Sequence, residues 1–112
     1  MSAPELSRRL ILQERVRSAD GAGGQTGGWS DLGTLWAEVK PRRGREQAVG
    51  DRERSSVPVS VTVRAASPGA ASRPRPDQRF ADGPRLYGIL SVTEQGPMGR
   101  YLVCACVEGF EQ

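Results

Sequence analysis

Few side chains in this 112-residue sequence could perform catalysis, and the missing residue types exclude most mechanisms. The chain has no histidine, which removes the usual general base and the commonest metal ligand. Its two cysteines, without histidine partners, make a poor zinc site, and no serine or cysteine has a base to activate it. The sequence therefore predicts no enzymatic activity, no metal and no cofactor.

The two cysteines, Cys104 and Cys106, have a spacing that favours a structural role. Residues two apart on a strand point to the same face and are not placed for a relaxed disulfide with each other. We therefore expect both thiols to be free and to pack as small apolar groups, in a protein kept under reducing, intracellular conditions.

A glycine-rich stretch at 20–28 could suggest a phosphate-binding loop. Its Gly21-Ala22-Gly23-Gly24 segment is followed neither by a helical pattern nor by a Lys-Ser/Thr pair, so the Walker-type motif is absent. We interpret the stretch as a flexible hairpin link between two strands.

Arginine is the strongest chemical feature. Fifteen of the sixteen basic residues are arginine, and segment 40–56 holds six basic and three acidic residues, an excess equal to the formal net charge of +3. Such a loop can contact a phosphate backbone without reading its sequence. The alternatives are an acidic partner surface and a solvated loop whose arginines reflect GC-rich codon usage. The candidate contact residues are Arg42, Arg43, Arg45, Arg52 and Arg54.

The elements that position these residues are predicted to be strands. Valines at 57, 59, 61 and 63 alternate with other residues, and Pro58 suggests that this strand begins at a sheet edge. Similar patterns occur at 9–16, 32–40, 85–93 and 100–108, with a short edge strand at 79–81 before a tight turn. With no amphipathic helix, the pattern predicts an all-β fold, a small antiparallel barrel or sandwich of five to six strands.

Two details of the strand pattern make specific predictions. Segment 85–93 places Leu86, Leu90 and Val92 on one face and Tyr87 and Ile89 on the other, as in a central strand. On segment 9–16, Leu10, Leu12 and Val16 are expected on one side.

We expect one domain over 1–112, with flexible residues 1–7, a long basic loop at 41–56 and an extended Pro-rich arm at 66–78. Loops of such length are usually functional or disordered. Leu, Ile, Val and Phe make up only about a fifth of the chain, so a small core supported by partners is expected. The apolar runs are too short to cross a membrane.

Three aromatic residues are candidate anchors of the core or of an interface: Trp29, Trp36 and Tyr87. The two tryptophans flank an expected turn at 30–33 and should anchor the start of the second long strand. The alternative is an interface role, because tryptophan is enriched among residues that dominate binding energy.

The order of these elements resembles the head–tail joining proteins of long-tailed bacteriophages, also called head-closure or stopper proteins. The resemblance extends from about residue 10 to 108 and rests on Trp36-Ala37, on Pro41 with Gly44 and Glu46, and on Tyr87 with Ile89. The Pro-rich arm and the end of the valine strand depart from the family pattern. The composition suits a prophage or a gene transfer agent of a GC-rich bacterium.

The resemblance implies a β-barrel that forms a homo-oligomeric ring in the neck of a virion-like particle assembled in the bacterial cytoplasm. Its partners would be the portal or adaptor ring, the tail terminator or tail tube proteins, and double-stranded DNA, bound non-specifically in the channel. The ring would retain packaged DNA and dock the tail, with loop 41–56 reaching toward the bore. The alternatives are a free-standing nucleic-acid-binding β-barrel and a small β-type inhibitor or chaperone.

Overall fold

The computed structural model describes residues 3–16, 28–42 and 57–109, which form six strands and one short 3-10 turn at Pro97–Gly99. The strands are β1 (Arg8–Val16), β2 (Gly28–Pro41), β3 (Val57–Arg64), β4 (Arg79–Asp82), β5 (Arg85–Gln95) and β6 (Tyr101–Glu108). Each neighbouring pair is antiparallel, and the order β1-β2-β3-β6-β5-β4 closes on itself as a barrel. The predicted all-β antiparallel fold is confirmed.

The strands expected at sheet edges lie instead within the closed ring. The short strand β4 pairs with β1 on one side and β5 on the other, so it closes the barrel. Pro58 pairs with Val107 of β6, whereas the ladder between β3 and β2 begins one residue later, at Val59. The proline nitrogen, which cannot donate, thus falls before the β2 ladder begins. The Pro58 carbonyl accepts a hydrogen bond from the Arg42 amide at 3.0 Å.

The core fills the barrel with side chains from all six strands. Alternation brings one face of each strand inward, as predicted for the valine strand. Burial of each large apolar side chain stabilises the fold by roughly 1.5–3 kcal/mol. The buried apolar residues are Leu10, Leu12, Ala37, Val59, Val61, Val63, Phe80, Tyr87, Ile89, Leu102, Cys104 and Cys106.

A bulge in β5 changes the predicted faces of that strand. Ile89 lies opposite Cys106 and Ser91 lies opposite Ala105, so Leu90 is an extra residue without a partner on β6. Beyond it the alternation reverses, and Val92 packs against the core while Leu90 is 60% exposed. The prediction that Leu90 and Val92 share a face is therefore wrong.

A second irregularity lies in β2, where a turn at 30–33 was expected. Gly33 pairs with Leu12 and Asp31 pairs with Gln13, which leaves Leu32 as the extra residue. The chain continues as one long strand through this bulge, and Leu32 packs against the core. Val16, expected to share the inner face of Leu10 and Leu12, is 40% exposed because it lies at the end of β1.

The segment between β3 and β4 is folded rather than extended. The amides of Ala70, Arg73 and Gln78 each donate to the carbonyl three residues earlier, forming successive turns. Pro74 is buried, and Arg73 donates to the Ala66 carbonyl at 2.8 Å. The Asp77 amide donates to the Ile89 carbonyl at 3.2 Å, and Arg73 pairs with Glu94 at 3.5 Å, so the Pro-rich segment lies against the barrel wall and the predicted extended arm is corrected.

The other predicted flexible segments lie largely outside the described residues. The glycine-rich link falls mainly in 17–27, although its two flanking strands pair as expected from Arg8 opposite Ala37 to Val16 opposite Gly28. Of the N-terminal residues, 3–7 precede β1 without regular structure, and the Glu5 amide donates to Glu38 Oε2 at 3.0 Å.

Candidate functional site

The predicted basic loop leaves the barrel at the end of β2 and returns at the start of β3. Of its five candidate arginines only Arg42 is described; Arg43, Arg45, Arg52 and Arg54 lie outside the described residues. Val57, where the chain returns, pairs with Glu108 at the end of β6. The loop base therefore lies at the barrel end that also carries the β4–β5 turn.

Arg42 is directed against the barrel wall. Its Nη2 donates to the Cys106 carbonyl at 3.4 Å, and its Nε is buried with no partner among the described residues. Together with the amide bond to Pro58, this contact fixes the position at which the loop departs. A DNA or subunit contact by Arg42 remains a prediction; the described contacts give it a positioning role.

The same barrel end carries ion pairs around Tyr87. Arg8 Nη2 lies 2.8 Å from Asp82 Oδ2 and 3.4 Å from the Tyr87 hydroxyl. The hydrogen bond to Asp82 raises the pKa of the Arg8 guanidinium despite partial burial. Arg85 pairs with Glu108 at 3.5 Å. These pairs tie strands β1, β4, β5 and β6 together around the loop base.

The three aromatic candidates occupy different environments. Tyr87 is 1% exposed, so it is a core residue with a polar tip. Trp36 is 54% exposed on the outer face, where it lies opposite Arg9. The guanidinium carbon of Arg9 is 6.0 Å from the Trp36 ring centroid. Trp29 is partly buried, so the three aromatic residues predicted as one group of anchors lie in three different environments.

On the outer surface, the Trp29 ring contacts two arginines that belong to different strands. Trp29 lies opposite Arg15, whose guanidinium carbon is 4.9 Å from the ring centroid, and that of Arg79 is 3.9 Å from it. The Arg79 Nε donates to Gln13 Oε1 at 2.8 Å, and Gln13 Nε2 donates to Asp31 Oδ1 at 2.8 Å. Burial, and the neighbouring charge of Arg15, lower the pKa of Arg79.

Sequence reasoning missed Arg15 and Arg79 because strand pairing brings them together. Trp29 and Trp36 are an odd number of residues apart, which on a regular strand would put them on opposite faces. The bulge at Leu32 places both tryptophans on the same face of β2, and each lies opposite an arginine of β1. The even spacing of Arg9 and Arg15, which puts both on one face of β1, was the only sign of these contacts in the sequence.

A groove of about 540 Å³ adjoins Trp29. Residues from β1, β2, β5, β6 and the end of the Pro-rich segment line it. The lining residues are Arg15, Trp29, Asp77, Gln78, Gly88, Ile89, Leu90 and Val107.

The cysteines are free and buried, which confirms the prediction for Cys104 and Cys106. Burial raises the pKa of Cys104 to about 12 and also raises that of Cys106, so both thiols are protonated at neutral pH. In the described parts of the chain, His, Cys, Asp and Glu form no group of three that could hold a metal ion. Nor does any helix there have the length and apolarity to cross a membrane.

The described residues thus form a closed six-stranded barrel whose outer surface carries arginine–aromatic contacts. The phage head completion protein family matches residues 1–109, and the chain belongs to this family. A chain from the virion of a native gene transfer agent particle is 48% identical, with a TM-score of 0.80 and coverage of 94% of this chain and 96% of that one. These findings confirm the resemblance drawn from the sequence.

A Shigella flexneri 2a protein solved in solution is 23% identical, with a TM-score of 0.70 and coverage of 100% of both chains. This likeness shows the shared fold alone. No curated protein sequence matches the chain.

Proposed function

We propose that this protein is a head–tail connector of a phage-like particle, of the gene transfer agent kind. It forms a homo-oligomeric ring between the portal or adaptor and the tail terminator or tail tube proteins. The ring closes the filled head and provides the docking surface for the tail. The observation that carries this proposal is the 48% identity to a gene transfer agent virion chain over 94% of the sequence.

The construction of the barrel supports a role in assembly. The described strands close into a ring, and among them residues 28–36 of β2 pair with β1 alone, so a partner would bind to an outer face, a loop or this part of β2. Apolar side chains remain exposed on that outside, among them Trp36 and Leu90. A chain with a small apolar fraction gains stability when neighbouring subunits cover such surfaces.

The basic loop is proposed to meet DNA in the bore of the ring. Arg42 anchors its base through Cys106, and the loop contributes Arg43, Arg45, Arg52 and Arg54 beyond that point. Arginines in such a loop contact phosphates non-specifically, which suits DNA of any sequence. We infer that they slow the escape of DNA until the tail is attached.

The test is complementation of a particle-producing strain from which the gene is deleted. Deletion should leave filled or leaking heads without tails. A variant with Arg43, Arg45, Arg52 and Arg54 changed to Gln should join tails but retain less DNA. The charge-matched control changes exposed arginines outside the loop: Arg9, Arg64, Arg75 and Arg100.

Normal tailed particles from the deletion strain would overturn the connector role. Equal DNA loss from the loop variant and its control would overturn the role of the loop alone.

The alternative, a free-standing nucleic-acid-binding barrel, is favoured by the concentration of positive charge at 40–56. It predicts that the isolated chain binds duplex DNA with an affinity that falls steeply with salt. The connector proposal predicts weak binding by the isolated chain, because only the ring presents many loops to one DNA segment.

A further inference from the structure

Two features of β5 shape the groove beside Trp29: Gly88 has no side chain, and Leu90 is the extra residue of the bulge. Gly88 pairs with Arg79 on one side and Val107 on the other, and its lack of a side chain leaves a gap between them. The bulge residue Leu90, 60% exposed, also lines the groove. So does Trp29, whose ring has two guanidinium groups close to it. A glycine beside two large apolar side chains leaves space that an inserted side chain can fill.

Two arginines lie at the Trp29 side of the groove, and Asp77 supplies one negative charge on the lining. Arg15 and Arg79 approach the same indole ring, and neither has a carboxylate within salt-bridge distance among the described residues. The neighbouring Arg75 already pairs with Glu14, at 3.9 Å. Two cations sharing one aromatic ring repel each other, so an incoming carboxylate would gain from both.

We propose that this groove binds an extended acidic segment of a neighbouring particle protein. An apolar side chain of that segment lies over Gly88, between Trp29 and Leu90, and an adjacent Asp or Glu pairs with Arg15. Only the choice of a particle protein as partner rests on the proposed connector function. The groove and its preference for an acidic, apolar peptide rest on its lining residues.

A peptide fits the groove better than a nucleic acid does. Five of the eight lining residues are apolar or glycine, and a peptide can place an apolar side chain against them, which a phosphate backbone cannot. Asp77 can accept hydrogen bonds from peptide amides. The candidate phosphate contacts of the sequence, Arg43, Arg45, Arg52 and Arg54, are not among the lining residues.

The test uses the full-length protein, labelled with nitrogen-15, and blocked five-residue peptides. The sequence contains two tryptophans, so the indole N–H of Trp29 reports the groove and that of Trp36 is an internal control. The probes are acetyl-Ser-Glu-Phe-Glu-Ser-amide and its counterparts with Gln or Lys in place of Glu. The acidic peptide should shift the Trp29 signal saturably and leave that of Trp36 in place.

Three variants sharpen the result. Arg15→Gln should weaken binding of the acidic peptide about threefold, while Arg9→Gln, at the matching pair with Trp36, should leave it unchanged. Leu90→Glu adds a carboxylate to an exposed position of the wall, and it should abolish binding of the acidic peptide and favour the Lys peptide. Preserved amide dispersion in each spectrum shows that the variant is folded.

Several outcomes would overturn the proposal. They are no saturable shift at Trp29, an equal response to the Glu and Gln peptides, or a larger response to a DNA duplex. If the NMR signal of Trp29 shifts with protein concentration in the absence of peptide, the groove is occupied by a second copy of the chain. If the protein binds the acidic peptide but deletion of its gene leaves particles intact, the groove proposal stands and the connector function is refuted. The two failures are therefore distinguishable.

Discussion

The guanidinium carbon of Arg79 lies 3.9 Å from the ring centroid of Trp29, although the two residues belong to strands that are not neighbours. The contact spans β1 and joins β2 to β4, the short strand that closes the barrel. Closure of the barrel thus involves an arginine–tryptophan contact on the outside as well as the apolar core within.

The first prediction concerns this contact. Arg79→Gln should lower the free energy of unfolding by about 1 kcal/mol, because it removes a partly desolvated cation–π contact and a hydrogen bond to Gln13. Urea unfolding followed by tryptophan fluorescence measures the change. Arg9→Gln is the control, since Arg9 is 6.0 Å from the more exposed ring of Trp36, and its effect should be smaller. Equal losses would show that proximity to the ring contributes nothing.

The second prediction is a loss of stability in alkali. Burial raises the pKa of Cys104 from 9.0 to about 12, and it raises that of Cys106 as well. Above about pH 9 the unfolded chain releases thiol protons that the folded chain retains, so stability decreases as pH rises. The slope approaches about 1.4 kcal/mol per pH unit for each thiol.

The matched variant replaces both cysteines with alanine. It should be less stable at neutral pH, yet its unfolding free energy should depend less steeply on pH between about 9 and 11. Identical slopes for the two proteins would contradict the assignment of this pH dependence to the thiols.

The third prediction tests the bulge in β5. Deletion of Leu90 should leave the protein folded and lower the free energy of unfolding by less than about 2 kcal/mol, because Leu90 is the extra residue and its loss keeps Ser91 opposite Ala105 and Val92 facing the core. Leu90→Ala, at the same exposed position, should change it by less than about 0.5 kcal/mol. Thermal and urea unfolding compare the two, and a deletion variant that fails to fold would contradict the description of Leu90 as the extra residue.

The fourth prediction concerns the turn between β5 and β6, where Met98 and Gly99 both have positive φ, 61° and 59°. Met98→Gly should raise the unfolding free energy by about 0.5 kcal/mol, since it relieves a left-handed conformation at an exposed residue. Gly99→Ala should lower it by about 1 kcal/mol, because its φ of 59° is a left-handed conformation that a Cβ strains, whereas the exposed Glu94 carboxylate near the new Cβ can move aside. Changes of the same sign would contradict this description of the turn.

Much of the fold could be predicted from the sequence. The alternating valines of β3 and the two free cysteines of β6, spaced two residues apart, give a period-two pattern strong enough to predict strands and an inner face. The order of Trp36, Pro41 and Tyr87 carried the family resemblance, which the comparisons confirmed.

The outer surface could not be predicted in the same way. A single inserted residue, Leu32 or Leu90, reverses every later face of its strand, and nothing in its residue type announces the insertion. Composition pointed to the arginines of the loop, because they are adjacent in sequence. Arg15 and Arg79 meet only through strand pairing, so their contact with Trp29 required the structure.

Cryo-electron microscopy of the neck of the native particle would show whether this chain is the connector between head and tail. A connector would appear as a ring of copies of this six-stranded barrel between portal and tail, with the ends of the barrel that carry Arg42 and Val57 facing the bore. Density for the barrel elsewhere in the particle, or none in the neck of tailed particles that contain the chain, would contradict the connector function.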